Sequence, residues 1–253
     1  MLTPLLIFLL AFGAVWLLER TVHRTLQSIA LITTGHIEAA TVLYAVPLFP
    51  GVALHELSHA VMATLVGVKI RNFSVWPKRQ PGGIRLGCVE ILRTDAVRAS
   101  LIGAAPLLFG SIALVAIGWY VFNSSALISA IGAGDVATLA EQLLATVRAP
   151  DALLWFYLVF AIANSMMPSP SDTQSWPPVL GFLAIAVGAL VLIGGTSGTS
   201  LLAALEPGAQ FVLRWLAAAF AITAFINLIV LSLLWLLARL LEAMTGKRIE
   251  YKR

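Results

Sequence analysis

A chain of 253 residues that is 60% hydrophobic and 11% charged, with a mean hydropathy of +0.94, has too little polar surface to cover a water-soluble domain. Sixteen Lys and Arg against twelve Asp and Glu give a formal net charge of +4. In so apolar a chain that excess fits orientation in a bilayer better than nucleic-acid binding. The composition predicts an all-α polytopic membrane protein, and the single cysteine, Cys88, excludes an intramolecular disulfide or a thiolate cage and reads as a small hydrophobe.

A spanning helix needs roughly 20 apolar residues, and six segments approach that length: Leu2–Leu18, Ala39–Val66, Ala96–Phe122, Ala152–Met167, Pro178–Ile193 and Ala209–Ala243. The first lacks the basic leader and small-residue cleavage site of a secretory signal, so it reads as a retained helix. Residues 20–33 place Val22, Leu26, Ile29 and Ile32 at near-helical spacing against Arg20, His23, Arg24 and Gln27, which fits an interfacial helix or an extension of the first span. Pro47 and Pro50 predict a kink early in the second segment.

Residues 69–92 approach period-two alternation around "PKRQPGG", so a small membrane-associated β-hairpin is expected between the second and third segments. Gly103, Ala104 and Ala105, opening the third, permit close packing against the second. Residues 123–150 read as a loop and "GGTSGTS" (194–200) as a flexible connector, while Trp119, Tyr120 and Trp176 fit interfacial anchors. No internal repeat is visible. Residues 1–253 are expected to form one integral membrane domain, a core of residues 39–193 with flanking helices 2–18 and 209–243, and separation of the first, fifth and sixth helices from the second, third and fourth would open a lateral gate.

With six spans, twelve of the sixteen Lys and Arg fall on one side, within residues 69–98 and 239–253, and Arg20, Arg24, Arg148 and Arg214 on the other. The positive-inside rule puts the larger group, and with it both termini, in the cytosol. Short loops and small size fit a prokaryotic cell membrane.

The stretch "ALHELSHAVM" (53–62) sets two histidines and a glutamate inside the second segment, where desolvation is costly unless such groups are paired or bound to a metal. His55 and His59 share a helix face and can aim imidazole nitrogens at one ion with Glu56 beside it, the spacing of a zinc site. Catalytic zinc takes three protein ligands and a water, whose pKa it lowers to about 7. Glu56 is placed to accept the water's proton and deliver it to a leaving amine. The plain alternative is that the three residues are hydrogen-bonding glue between helices.

The third ligand has to come from another segment. His23 and His36 fall on the opposite side by the charge count, and Glu90 and Asp95 lie in a solvated basic region. Asp172 is the best candidate, in "ANSMMPSPSDTQSWPP", where Pro168 and Pro170 break the fourth helix on the same side as "HELSH". Its plain reading is a turn or capping residue.

At this point the chain resembles the site-2 proteases, intramembrane zinc metalloproteases. "HELSH" matches that family's HExxH, "GAAPL" (103–107) is similar to its AGP-containing helix, and "NSMMPSPSD" looks like its NxxPxPxxDG signature, in matching order over about two thirds of the chain. The resemblance implies Zn2+ held by His55, His59 and Asp172, Glu56 as general base, and Asn164 holding or polarising the substrate backbone. It also implies that the hairpin pairs with an unwound transmembrane protein or peptide substrate by strand addition.

The prolines fall four and six residues after Asn164 where the family has three and five, and Thr173 stands in place of its glycine, which marks a divergent member with an altered substrate groove. Asn164 taken alone, like Asn227 in the sixth segment, reads equally as helix–helix glue. The competing classes are a metal-binding membrane transporter or sensor, which calls for ligands at several depths, and a non-cleaving protease-like scaffold, which has no need of Glu56.

Overall fold

A computed structural model describes residues 2–80, 83–123, 135–149 and 151–246. An unbroken apolar run rich in good helix formers carries helix α1 from Leu2 to Thr34. Residues 20–33 therefore extend the first helix, and their side chains Val22, Leu26 and Ile32 are buried in protein. Helix α2 (Ile37–Ala45) passes through one tightened 3-10 turn, Val46–Leu48, into α3 (Phe49–Leu65). Pro47 and Pro50 sit in the first turns of the pieces they open, where a missing N–H takes nothing from the helical ladder.

The expected hairpin forms as two nested antiparallel pairs. Strand β1 (Ile70–Ser74) pairs with β4 (Cys88–Ile91), and β2 (Lys78–Gln80) with β3 (Gly83–Arg85). A register shift between Ile70 and Asn72 disturbs the longer pair. Helix α4 (Ala96–Tyr120) follows, capped by Asp95, whose carboxylate accepts the Arg98 N–H at 2.9 Å.

The stretch expected as a loop holds a helix, α5 (Val136–Arg148). Asp135 starts it by accepting both the backbone N–H and the hydroxyl of Thr138; residues 124–134 and 150 lie outside the described part. Helix α6 (Ala152–Ala163) has only 12 residues, about 18 Å of length. A one-turn helix, α7 (Pro170–Thr173), leads into α8 (Trp176–Thr245). The expected flexible connector is helical backbone interrupted at Gly195, whose φ of 52° and ψ of −130° suit a residue without a Cβ. That break separates the fifth and sixth apolar segments.

Among the described residues, five helices are long and apolar enough to cross a membrane: Leu5–Thr34, Ile37–Leu65, Ala96–Tyr120, Pro170–Leu190 and Ala203–Thr245. The pair Ala140–Arg148 and Ala152–Ala163, bent by 97°, would make a sixth. One apolar core joins Val22 and Leu26 of α1, Leu48 and Val52 beside the 3-10 turn, Leu114 of α4, Phe160 of α6 and Phe220 of α8. Phe8 and Phe12 of α1 pack on Phe220 with ring centroids 5.7 and 5.5 Å away, which joins the first helix to the last.

Candidate metal centre

His55 and His59 lie one turn apart on α3, their rings 4.8 Å apart between centroids. Each ring is held from behind. His55 Nδ1 donates to the Ser165 carbonyl at 2.5 Å, and His59 Nδ1 donates to the Ile102 carbonyl at 2.8 Å. A carbonyl can only accept, so each Nδ1 carries a proton, and in the neutral ring each Nε2 presents its lone pair. The two Nε2 atoms face each other across 3.1 Å, an arrangement that repels between neutral rings unless a proton or a metal ion lies between them.

The two acceptors are available for separate backbone reasons. Ser165 lies just beyond the end of α6, where the last carbonyls of a helix lack helical partners. Ile102 lies inside α4, but the residue four places on is Pro106, which has no N–H to give it. Close approach of the helices brings both within reach: a Cβ on Gly51 would collide with the Ala161 carbonyl of α6, one turn before His55.

Asp172 arrives on the α7 turn. Ser169 and Asp172 form a reciprocal capping box, with the Ser169 N–H donated to Asp172 Oδ2 at 2.7 Å and the Asp172 N–H to Ser169 Oγ at 3.4 Å. The carboxylate reaches His59 Nε2 at 3.3 Å through Oδ1 and His55 Nε2 at 3.7 Å through Oδ2. Ligands bonded at 2.0–2.2 Å to one tetrahedral ion stand roughly 3.3 Å apart. The imidazole nitrogens stand 3.1 Å apart and each meets a different Asp172 oxygen, and one ligand atom from each of the three residues lies within 4.8 Å of the others, so the group could hold a metal ion. Gly103, expected to pack on the helix of the histidines, instead makes its tightest approach to Asp172: a Cβ there would strike the Asp172 carbonyl.

Glu56 is buried beside the ligands and lines the same cavity, about 1060 Å³ in volume. The hairpin borders this cavity at Leu86, Gly87 and Val89. Asn164 also reaches the wall, yet its side chain is 2% exposed and its amide nitrogen donates to the Phe160 carbonyl at 2.8 Å and to Asn227 Oδ1 at 2.6 Å. The structure thus brings His55, His59, Asp172 and Glu56 together and turns the Asn164 amide toward α8.

His23 stays outside the ligand group, but not for the reason that the sequence suggests. His23 was set on the far side because Arg20 and Arg24 were counted as loop residues, whereas α1 runs unbroken through them and carries His23 to the cavity. Its Nε2 donates to the Asn164 carbonyl at 3.1 Å, and its Nδ1 meets the Tyr44 hydroxyl at 2.5 Å. Glu19, one turn earlier, lines the cavity as well and was not singled out. The signal was present: residues 15, 19, 22, 23 and 26 fall on one helical face, and Val15, Val22 and Leu26 of that face are buried. No protein-family model, curated protein or solved structure matches this chain.

Proposed function

We propose that the protein is a zinc-dependent endopeptidase of the site-2 protease type, integral to a membrane, that hydrolyses peptide bonds in or beside the membrane-spanning segments of other proteins. The observation that carries this reading is the convergence of the His55 and His59 Nε2 atoms with the Asp172 carboxylate, with Glu56 beside them. The membrane setting is supported by large apolar side chains on outward faces, among them Phe182 at 73%, Leu153 at 86% and Ile193 at 87% exposure. Lipid accommodates such faces, and water does not. The basic hairpin and C-terminal end orient toward the cytosol.

Two imidazoles and one carboxylate, with a cavity open beside them, suit zinc. When bound there, zinc supplies a Lewis acid that activates water and polarises a carbonyl. The residues of the chain do the rest. The Ser165 and Ile102 carbonyls fix the tautomers, so both histidines keep Nε2 turned to the ion. Asp172 contributes negative charge and is itself oriented by the Ser169 N–H. Glu56 takes a proton from the attacking water and returns it to the departing nitrogen. A helical substrate has its peptide groups engaged in its own hydrogen bonds, so it must be unwound and held extended; each strand of the two-stranded β1–β4 sheet has an outer edge to which such a segment can add.

The test uses the full chain and Glu56→Gln in liposomes, with bound zinc measured and a panel of transmembrane peptides followed for cleavage. Equal zinc in both and cleavage by the wild type alone is the expected result. Ion flux that survives the substitution with no cleavage in either identifies a transporter. Protein that stays free of zinc after reconstitution overturns the metal reading.

A further inference from the structure

Helix α1 brings a second ionisable pair, Glu19 and His23, to the cavity that holds the metal ligands. Glu19 lies at the middle of this 33-residue helix, about 25 Å from either end, where a carboxyl group calls for a partner. The nearest basic atom is His23 Nε2 at 3.7 Å, beyond hydrogen-bond range, and it is already directed at the Asn164 carbonyl. The other ring nitrogen of His23 is engaged by Tyr44, so His23 is not free to bind a second metal with Glu19. The adjacent Arg20 stacks on Trp16 with its guanidinium carbon 4.9 Å from the ring centroid. Among the described residues, no hydrogen-bond donor lies within reach of the Glu19 carboxyl, and no Lys or Arg lines the cavity.

The balance of charge points the same way. A divalent ion at the triad is offset by Asp172 and Glu56, so neither is left to balance a further cation, and a cation seated beside Glu19 would itself favour the ionised form of that carboxyl. We propose that Glu19 forms a cation-accepting subsite of this cavity, which takes an ammonium or guanidinium group of the bound peptide. The nature of the occupant rests on the peptidase reading, whereas the subsite itself rests on the placement of Glu19. A basic side chain is costly within a membrane-spanning segment, and here it meets a carboxylate already removed from water. The subsite would therefore select segments that carry such a residue at a fixed distance from the scissile bond.

The test compares fluorescent transmembrane peptides that differ at one position, Lys against norleucine, with that position moved along the segment. Binding is measured on zinc-loaded full-length Glu56→Gln protein in liposomes, with and without an added Glu19→Gln or Glu19→Asp substitution, and cleavage is followed in parallel with the wild type. Over one or two adjacent positions Lys is expected to bind about tenfold more tightly than norleucine. That ratio should fall to about one with Glu19→Gln and recover in part with Glu19→Asp. Peptides with free and acetylated N-termini separate a side-chain cation from a terminal one; both keep the subsite. Equal binding of Lys and norleucine at every position overturns the proposal even if the Glu19 variants fail to fold, and so does a Lys preference that Glu19→Gln leaves intact. A Glu19-dependent Lys preference in a protein that cleaves no peptide supports the subsite and removes the peptidase reading.

Discussion

Pro106 and His59 are linked through the Ile102 carbonyl: the proline leaves it without a helical donor, and the histidine supplies one at 2.8 Å. The substitution Pro106→Ala restores an N–H that competes for the same oxygen. A proline inside a helix costs about 3 kcal/mol relative to alanine, while loss of a contact that orients a metal ligand weakens binding by roughly 10- to 100-fold. The variant is therefore expected to melt at a higher temperature without metal and to bind zinc less tightly. Thermal melts and competition with a chelator measure the two effects, and unchanged affinity would show that this carbonyl does not orient His59.

Loss of any one ligand, by His55→Ala, His59→Ala or Asp172→Ala, should leave the purified protein with little or no zinc by elemental analysis. Chelation of the wild type should lower its melting temperature, since free zinc at a hundred times its Kd stabilises the folded state by about 2.7 kcal/mol. An Asp172→Ala protein with full zinc occupancy would remove Asp172 from the ligand set.

Glu56→Gln keeps the shape of the side chain and removes its basicity. Metal content should not change, while peptide hydrolysis falls by roughly 10²- to 10⁴-fold. The hairpin gives a second handle, because a Cβ on Gly87 would lie 2.5 Å from Glu56 Cγ. Gly87→Val should displace that carboxylate and lower kcat with zinc occupancy retained; a variant with normal kcat would show that the base tolerates the intrusion.

Asn227→Ala removes the acceptor for the Asn164 amide between α6 and α8. Interhelical hydrogen bonds of this kind contribute on average about 0.6 kcal/mol and at most about 1.7 kcal/mol. Reversible unfolding in mixed micelles should register a loss in that range, and the double variant with Asn164→Ala should lose no more than the two single variants combined.

At the start of α4, outside the apolar segment, the Arg98 N–H holds the Asp95 carboxyl below its ordinary value. A depressed folded pKa means that the cap acts above the unfolded value near 3.9 and is lost as pH falls through the lower folded one. Amide exchange at Arg98 should stay protected at neutral pH and open only below about pH 4. Asp95→Ala should show the open behaviour at every pH.

How far the sequence could be read depended on whether one local pattern was enough. The i, i+4 spacing of His55 and His59 defines a face by itself, and the helix-breaking Pro168 and Pro170 mark where another segment can turn a carboxylate inward, so the triad was legible. The hairpin was legible from alternation. His23 was lost because counting loop charges assumes that an arginine ends a span, whereas α1 buries one face and carries Arg20 through the apolar run. The α5 helix was legible but passed over, since Asp135 is a capping residue and Leu139, Leu143 and Val147 follow it at helical spacing. The role of Pro106 was hidden for another reason: a freed carbonyl has no meaning until α3 is seen to pass beside it.

Asn164 is grasped from both ends of the chain, by His23 of the first helix on its carbonyl and by Asn227 of the last on its amide. The neighbouring carbonyl, that of Ser165, aims His55. The two partners of Asn164 lie 141 residues before it and 63 after it, so the stretch of backbone that aims His55 takes its final place only when α1 and α8 have both packed against α6.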